Sequence, residues 1–408
     1  MQNTPKSLRL HIAIFGRTNA GKSSFLNLVT GQQCAITSPV AGTTTDVVEK
    51  AQELPPLGPV LWLDTAGYDD ATSLSDERTK ATEKVFERAD MAVLVCAGEN
   101  IGAPEQQIIA KLNERQIPLI KVYNQADKYK ITQTDGIILN ATDTSQRNRV
   151  LNELTAALIK LCPEDYISLQ PLMGDLLAPH STAVMIIPID YEAPKGRLIL
   201  PQVMAIRDCL DHDQNVLMVK ENDYASVLQN FKQPPALIVC DSQVVDKMVA
   251  QTPENIPCTT FSILMARFKG DLQKMVEGAA MISQLQDKDK VLIAESCTHH
   301  AVDDDIGRVK IPNLLRLKTG KNLQIEHVSG CDFADNLSEY KLVIQCGGCT
   351  INRRQMLYRI QQCQAQGVAI TNYGVCISEL KGVLERALSP FPEILKIYRK
   401  NKNPSYHI

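Results

Sequence analysis

Two short segments of the chain end an apolar run with residues that bind metals. One segment reads LVIQCGGC and places Cys346 and Cys349 after a predicted strand, and the other reads VLIAESCTHH and places Cys297 and His299 after another. If these strands lie parallel in one sheet, their carboxyl ends share an edge, and open α/β sheets bind ligands at that edge. Thiolates and an imidazole that meet there predict a metal centre.

Three assignments of this cysteine group are open from spacing alone. A closed, tetrahedral Cys3His zinc site would use all four side chains. A [4Fe–4S] cluster would use the cysteines and leave one iron open, or loosely held by His299 or a neighbouring ligand. A redox enzyme would use Cys346 and Cys349 as a dithiol pair, but it would leave Cys297 and His299 without a role. The apolar runs indicate a domain that folds without metal, which favours the cluster over zinc.

A phosphate-binding motif follows the first apolar run of the chain. The segment GRTNAGKS fits the pattern G-x-x-x-x-G-K-S, between a predicted strand and a predicted helix. Its backbone N–H groups wrap phosphates, Lys22 reaches the β and γ phosphates, and Ser23 holds Mg²⁺. The predicted nucleotide contacts of this segment are Gly16, Asn19, Ala20, Gly21, Lys22, Ser23 and Ser24.

Later motifs identify the nucleotide as GTP. After the next apolar run, Asp64 can anchor Mg²⁺ through water, and the amide of Gly67 can sense the γ-phosphate. The segment NQAD contains Asn124 and Asp127, and a carboxylate at Asp127 can accept both guanine N1–H and the 2-amino group, which adenine does not offer. The amide of Ala141 lies where a loop would meet the guanine oxygen. We therefore expect hydrolysis of GTP to GDP and phosphate, with Lys22 and Gly67 in catalysis.

Alternating apolar runs and helical patterns predict an α/β protein of three domains. A P-loop GTPase domain is followed by two smaller domains with parallel sheets, and we expect boundaries at 1–168, 169–265 and 266–408. The middle segment has no glycine-rich phosphate loop and no ligand-spaced histidines, so we expect an assembly module whose edge strand pairs with a second copy. One long helix is predicted over residues 268–285.

Composition excludes several classes of partner. The chain has 408 residues and a net charge of −3, so it has no positive field for nucleic acid. No run of about 18 apolar residues and no cleavable signal is present, so we expect no membrane partner and a cytoplasmic location. Nine of the twelve cysteines lack ligand spacing, and we expect them to be small packing residues, not a disulfide framework.

The first domain resembles the Era/TrmE-like branch of Ras-type GTPases. The segment GTTTD is similar to the switch of that branch, whose threonine holds Mg²⁺; Thr44 is the assigned residue and Thr43 the alternative. The resemblance implies that Asn19 binds K⁺, which replaces an arginine finger. Tyr68 stands where Ras-like enzymes have a water-orienting glutamine, so slow, K⁺-stimulated hydrolysis is expected. Gln125 replaces the usual lysine of the guanine motif, and weaker nucleotide binding is expected.

The whole chain resembles the HydF family, the GTPases of [FeFe]-hydrogenase maturation. The segments that carry this resemblance are CTH, CGGC, APKGRLILPQ, FKGDL, DDIGRVKIP and ITNYGV. It implies a homodimeric scaffold that holds a [4Fe–4S] cluster on Cys297, Cys346 and Cys349. It further implies that the scaffold receives a transient diiron precursor, made with two radical-SAM enzymes, and delivers it to the apo-[FeFe]-hydrogenase. The family has a histidine where this chain has Gln345. The fourth iron is therefore left for His299, solvent or a carboxylate oxygen.

A rival reading from another class is an Era-like GTPase that binds RNA or the ribosome and carries a structural Cys3His zinc site. It predicts a basic surface for RNA, which the net charge of −3 disfavours. It also predicts zinc without iron in the purified protein.

Overall fold

The protein is described by a computed structural model. The described residues are 4–31, 47–65, 75–132, 135–163, 166, 170–189, 198–296, 305–330, 333 and 336–402. The chain forms two compact units, Met1–Leu169 and Gln170–Ile408. In the part of the chain described here, no helix is long and apolar enough to cross a membrane.

The first unit is built on a six-stranded sheet in the order β2-β3-β1-β4-β5-β6. Strand β2 runs antiparallel to β3, and the other pairs are parallel. The strands are β1 (Leu10–Phe15), β2 (Val48–Leu54), β3 (Gly58–Asp64), β4 (Met91–Ala97), β5 (Leu119–Asn124) and β6 (Ile137–Ile138). The α-helices are α1 (Lys22–Thr30), α2 (Ser75–Arg88), α3 (Ala103–Glu114) and α4 (Arg147–Leu161).

Apolar side chains cover both faces of this sheet. Every residue of β1 is buried, as expected for a central parallel strand with helices on both sides. On one face Phe15 stacks on Phe86 with ring centroids 4.4 Å apart, and on the other Phe25 meets the edge of Trp62 at 6.5 Å. These two cores fix the carboxyl ends of β1 and β3, from which the phosphate and magnesium motifs follow.

The second unit contains two four-stranded parallel sheets, in the orders β10-β9-β7-β8 and β12-β11-β13-β14. The first comprises β7 (Thr182–Ile186), β8 (Asn215–Val219), β9 (Leu237–Cys240) and β10 (Cys258–Thr260). The second comprises β11 (Lys290–Ala294), β12 (Gln324–Val328), β13 (Leu342–Gln345) and β14 (Ala369–Asn372). One continuous apolar core joins the two sheets. The predicted fold class, a P-loop GTPase sheet followed by two smaller parallel sheets, is confirmed.

Helices cover both of these sheets. They are α5 (Leu200–Asp211), α6 (Tyr224–Gln229), α7 (Val245–Gln251), α8 (Phe261–Lys269), α9 (Leu272–Ala280), α10 (Ile311–Thr319), α11 (Arg353–Ala365), α12 (Tyr373–Leu380), α13 (Leu384–Ala387) and α14 (Pro392–Lys402). Helix α9 packs closely on β14 because Gly278 has no side chain; a Cβ there would lie 1.9 Å from the carbonyl oxygen of Ile370.

The predicted helix over residues 268–285 is wrong. Helix α8 ends at Lys269, and α9 begins after Asp271, whose carboxylate accepts a hydrogen bond from the Lys274 amide. An aspartate that satisfies an amide of the first turn is a strong helix start, so the chain begins a new helix there. This break turns Lys269 into the last residue of α8, next to the cysteine segment of β13.

Candidate functional site

The phosphate loop follows β1 and turns on two glycines. Gly16 and Gly21 have φ values of +150° and +93°. A Cβ at Gly16 would lie 2.3 Å from the carbonyl oxygen of Val95. A Cβ at Gly21 would lie 2.2 Å from the side-chain nitrogen Nδ2 of Asn124. Helix α1 begins at Lys22, so its first N–H groups face the loop, as anion binding requires. The predicted phosphate loop thus has its expected strand, loop and helix order.

Lys22 lies across this loop. Its side chain is buried, and Nζ donates hydrogen bonds to the carbonyl oxygens of Gly16 and Arg17, both at 3.0 Å. These two bonds hold the ammonium group over the turn where the phosphates of a nucleotide would lie. The group is therefore positioned to meet the β and γ phosphates.

Ser23 and Asp64, the two residues predicted to bind Mg²⁺ directly and through water, are in contact. The Ser23 hydroxyl donates to Oδ2 of Asp64 at 2.9 Å. The carboxylate is 1% exposed, and its Oδ1 has no hydrogen-bond partner among the described residues. Burial raises the pKa of Asp64, although Ser23 and Lys22 act against that shift. A buried carboxylate oxygen beside a hydroxyl fits Mg²⁺ with its water shell.

The guanine motif is tied to the phosphate loop by side-chain amides. Nδ2 of Asn124 donates to the carbonyl oxygen of Ala20, and its Oδ1 accepts from the amide of Ala141, both at 2.9 Å. Nε2 of Gln125 donates to the carbonyl oxygen of Asn19 at 3.0 Å. Gln125 therefore bridges the two loops at the position where the sequence departs from the usual lysine. Asp127 is exposed at the end of this motif.

The cysteine segments follow neighbouring strands of the last sheet. Strands β11 and β13 pair in parallel, with Ala294 opposite Gln345, so their carboxyl ends lie side by side. The amide of Cys346 donates to the carbonyl oxygen of Ala294 at 2.9 Å, and the amide of Ser296 donates to Sγ of Cys346 at 3.1 Å. Ser296 immediately precedes Cys297 in the chain. The structure thus brings the residue before Cys297 into contact with the Cys346 sulfur.

A buried lysine binds the loop on both sides of Cys349. Lys269 is 1% exposed, and its Nζ donates to the carbonyl oxygens of Gly348 and Ile351, both at 3.0 Å. Burial lowers the pKa of Lys269 to about 8, against the effect of the nearby Cys349 and Cys346. Cys349 is an exposed residue, but desolvation of its thiol raises its pKa, whereas the charge of Lys269 acts to lower it. A cation at this loop favours the anionic thiolates that metals bind.

A buried carboxylate also lies at this edge of the sheet. Glu295 follows β11 and is 3% exposed. Its Oε1 accepts from the hydroxyl of Tyr373 at 3.2 Å, and its Oε2 accepts from the hydroxyl of Ser329 at 3.3 Å. Burial raises the pKa of Tyr373, and the charges of Cys346 and Glu295 raise it further. The phenol therefore stays protonated and donates to the carboxylate.

Several predicted site residues lie outside the described residues, namely Thr43, Thr44, Gly67, Tyr68, Cys297 and His299. Within the described ranges, no three His, Cys, Asp or Glu side chains come close enough together to hold a metal ion. Cys346 and Cys349, with N–H donors and a buried cation around them, fit part of an iron–sulfur ligand set, because hydrogen bonds to sulfur stabilise anionic clusters.

Sequence reasoning missed three residues of this region. Lys269 lies in the segment FKGDL, which carried part of the family resemblance but no assigned role. Glu295 stands two residues before Cys297, so its place after a strand was a usable signal. Arg359 lies within α11 and approaches β13 only in the fold. No spacing in the chain points to it.

Three family models match the chain. The model described as 50S ribosome-binding GTPase matches residues 11–125. The model of the hydrogen maturase F dimerization domain matches residues 172–270, and that of the hydrogen maturase F tetramerization domain matches residues 273–390. The first unit is thus a GTPase domain, and the second carries two domains of one family.

Curated relatives match the GTPase domain. The tRNA modification GTPase MnmE of Legionella pneumophila (strain Corby) is 38% identical over 130 residues, which is 30% of this chain and 28% of that protein. MnmE of Synechococcus sp. (strain RCC307) is 34% identical over 158 residues, 38% of this chain and 33% of that protein. The chain therefore spans about a third or less of the length of these relatives.

A solved structure is also similar. The crystal structure of a variant of Aquifex aeolicus Era bound to GDP.AlF4- has a TM-score of 0.33 and 19% identity, over 52% of this chain and 92% of that chain.

Proposed function

The chain belongs to the hydrogen maturase F family, and from this premise we propose that it is a GTP-hydrolysing scaffold for [FeFe]-hydrogenase maturation. It holds a [4Fe–4S] cluster, receives a diiron precursor made with radical-SAM enzymes, and delivers that precursor to the apo-hydrogenase. The observation that carries this proposal is the contact between the Ser296 amide and the Cys346 sulfur at the shared edge of β11 and β13. It supports a ligand set drawn from both cysteine segments.

Each residue of the GTPase site would have its own role in hydrolysis. Lys22 offers its ammonium group to the β and γ phosphates from the position that Gly16 and Arg17 hold. Ser23 and Thr44 would hold Mg²⁺, with Asp64 anchoring its water, and the ion would neutralise phosphate charge. The amide of Gly67 would contact the γ-phosphate, and hydrolysis would remove that contact.

The cysteine site would bind the diiron precursor. Cys297, Cys346 and Cys349 would hold the cluster by three thiolates. The remaining iron is left for His299, solvent or a carboxylate oxygen, and Glu295 is a buried carboxylate at this edge. An iron without a cysteine ligand can bind another group reversibly, which is the property that a carrier needs.

The proposal is tested by metal analysis of protein reconstituted anaerobically with iron and sulfide. We expect about four irons and four sulfides per chain, as a [4Fe–4S] cluster requires, and an EPR signal after reduction. Zinc without iron would favour the GTPase with a structural zinc site. Two reactive thiols with neither metal would favour the dithiol enzyme.

Potassium should accelerate hydrolysis if Asn19 binds it. Replacing K⁺ by Na⁺ is expected to lower GTP turnover by about 10²-fold, the effect of removing one electrostatic donor from a transition state. Asn19 has φ of +62°, so glycine can replace it without strain. Asn19→Gly is therefore the matched variant, and its rate in the two salts should be equal. If the wild-type protein hydrolysed GTP at equal rates in K⁺ and Na⁺, the proposed role of Asn19 in binding K⁺ would be excluded.

Strand β8 offers an edge for self-association, which the dimerization and tetramerization domains indicate. It is the outer strand of its sheet, and the backbone amide of Asn215 donates to the carbonyl oxygen of Ser181, the residue before β7, at 2.9 Å. Because N–H groups alternate along a parallel strand, the amide of Met218 faces away from β7. The side chains of Met218 and Leu217, 50% and 37% exposed, lie on this strand. We propose that β8 pairs with β8 of a second copy.

The edge pairing is tested by a proline. Met218→Pro removes the outward N–H group and keeps the pairing with β7, so it should weaken the dimer by at least about tenfold, the effect of one or two lost hydrogen bonds. Met218→Ala removes the side chain but keeps the N–H group, and it serves as the control. Sedimentation over a range of concentrations measures both. A proline variant that dimerises like the alanine variant would exclude this strand as the interface.

A further inference from the structure

A buried polar network lies directly behind Cys346. Gln345, the last residue of β13, is fully buried, and its Nε2 lies 3.3 Å from Sγ of Cys346 and 3.0 Å from the hydroxyl oxygen of Ser296. Arg359 of α11 is 2% exposed and donates from NH1 to Oε1 of Gln345 at 2.8 Å. The network therefore joins a guanidinium group to a sulfur through one amide.

The guanidinium group decides which way the amide points. An arginine side chain has five N–H donors and no acceptor. The amide group that faces Arg359 must therefore be the oxygen, because the NH2 group would meet only another donor. Consequently the NH2 group of Gln345 faces the Cys346 sulfur. Reversing the amide would leave a buried donor facing a buried donor, which is a costly arrangement.

Arg359 is itself held in place. NH2 of its side chain donates to the carbonyl oxygen of Gly330 at 3.1 Å, and its guanidinium group lies 5.0 Å from the ring centroid of Phe333. A planar group with a carbonyl and an aromatic ring as partners has little freedom to turn. The orientation of the Gln345 amide is thus set by a rigid neighbour.

The Cys346 sulfur receives a second N–H group, from the Ser296 amide at 3.1 Å. Hydrogen bonds to a ligating sulfur withdraw negative charge from it. A reduced cluster carries one more negative charge than an oxidised one, so such bonds stabilise the reduced form more. They therefore raise the reduction potential.

We propose that Gln345 is a hydrogen-bond donor to the Cys346 sulfur that raises the reduction potential of the bound cluster, and that Arg359 is the positioning residue that fixes this donor. The proposal rests on the proposed function, in which Cys346 holds the cluster. It gives Gln345 a role that differs from metal ligation, since its oxygen is bound to Arg359 and its nitrogen points at sulfur.

The test uses Gln345→Met in the reconstituted full-length protein, with a redox titration followed by EPR. Methionine has a similar length and no N–H group, so the variant should keep its iron and lose the donor. At a fixed potential, the ratio of reduced to oxidised cluster is expected to fall about tenfold, a shift of about 59 mV for a one-electron couple. Gln364→Met, at an exposed position of α11, is the matched control and should titrate like the wild type.

Two further measurements distinguish a hydrogen bond from a general structural effect. Arg359→Lys keeps the positive charge but loses the planar fork, so it should also lower the potential; an unchanged potential would overturn the positioning role. In protein carrying 15N in the glutamine side chains, pulsed EPR of the reduced cluster should show a weak 15N coupling that Gln345→Met abolishes. A loaded Gln345→Met variant with the wild-type potential would overturn the donor role. Wild-type protein that binds no iron would instead overturn the proposed function.

Discussion

Replacing Cys346 by alanine should abolish the EPR signal of the reconstituted cluster and leave GTP hydrolysis nearly unchanged. Cys346 receives N–H groups from Ser296 and Gln345, and it is one of the three proposed cluster ligands. Losing it would leave two of the proposed thiolates, and we expect two to be too few to hold a [4Fe–4S] cluster. The phosphate loop belongs to the other compact unit, so the substitution leaves its residues intact.

Cys363→Ala is the control for this substitution. Cys363 lies on α11 in the same unit, is fully buried, and has a pKa that burial raises to about 12. A thiol in that setting packs as a small apolar residue and binds no metal. The control should retain iron, sulfide and the EPR signal. If Cys346→Ala lost GTP turnover as well as the cluster, this result would contradict the assignment of the two activities to separate units.

The sequence was sufficient to predict the strands that directly precede the motifs. Strands such as β1 and β13 are buried along their whole length, so they read as continuous apolar runs, and the motifs follow them directly. Strand β2 was missed because its sequence, VEKAQEL, belongs to a half-exposed antiparallel edge with three charged residues. The helix break at Asp271 was missed because apolar periodicity continues across it.

Residues of the candidate site that directly follow a strand could be predicted from the sequence. Residues on helices that pack against the site could not. Cys346 could be placed at a strand end from spacing, and the pairing of β11 with β13 accounts for why that works. Lys269 and Arg359 come from α8 and α11, and only the packing of these helices brings them to the cysteine loop and to Gln345. The family resemblance in the sequence marked Gln345 as a departure, but only its buried partners give the departure a chemical meaning.

Replacing Lys22 by alanine should reduce GTP turnover by about 10²- to 10³-fold, the usual effect of removing one preorganised donor from a charged transition state. The two carbonyl oxygens that hold Nζ belong to the phosphate loop, so the variant loses the cation where the β and γ phosphates would lie. Single-turnover hydrolysis with saturating GTP and Mg²⁺ measures the chemical step, and a fluorescent GDP analogue measures binding separately.

Lys6→Ala controls for the loss of a lysine from the same unit. Lys6 is exposed and pairs with Glu49 at 2.6 Å, a surface ion pair that contributes little to stability. GTP turnover by Lys6→Ala should match that of the wild-type protein. Lys22→Ala should also bind a full cluster, which makes it the reverse of Cys346→Ala: each variant loses one activity and keeps the other. A Lys22→Ala protein that hydrolyses GTP at the wild-type rate would show that the phosphate loop is not the site of hydrolysis, whatever the cysteine site holds.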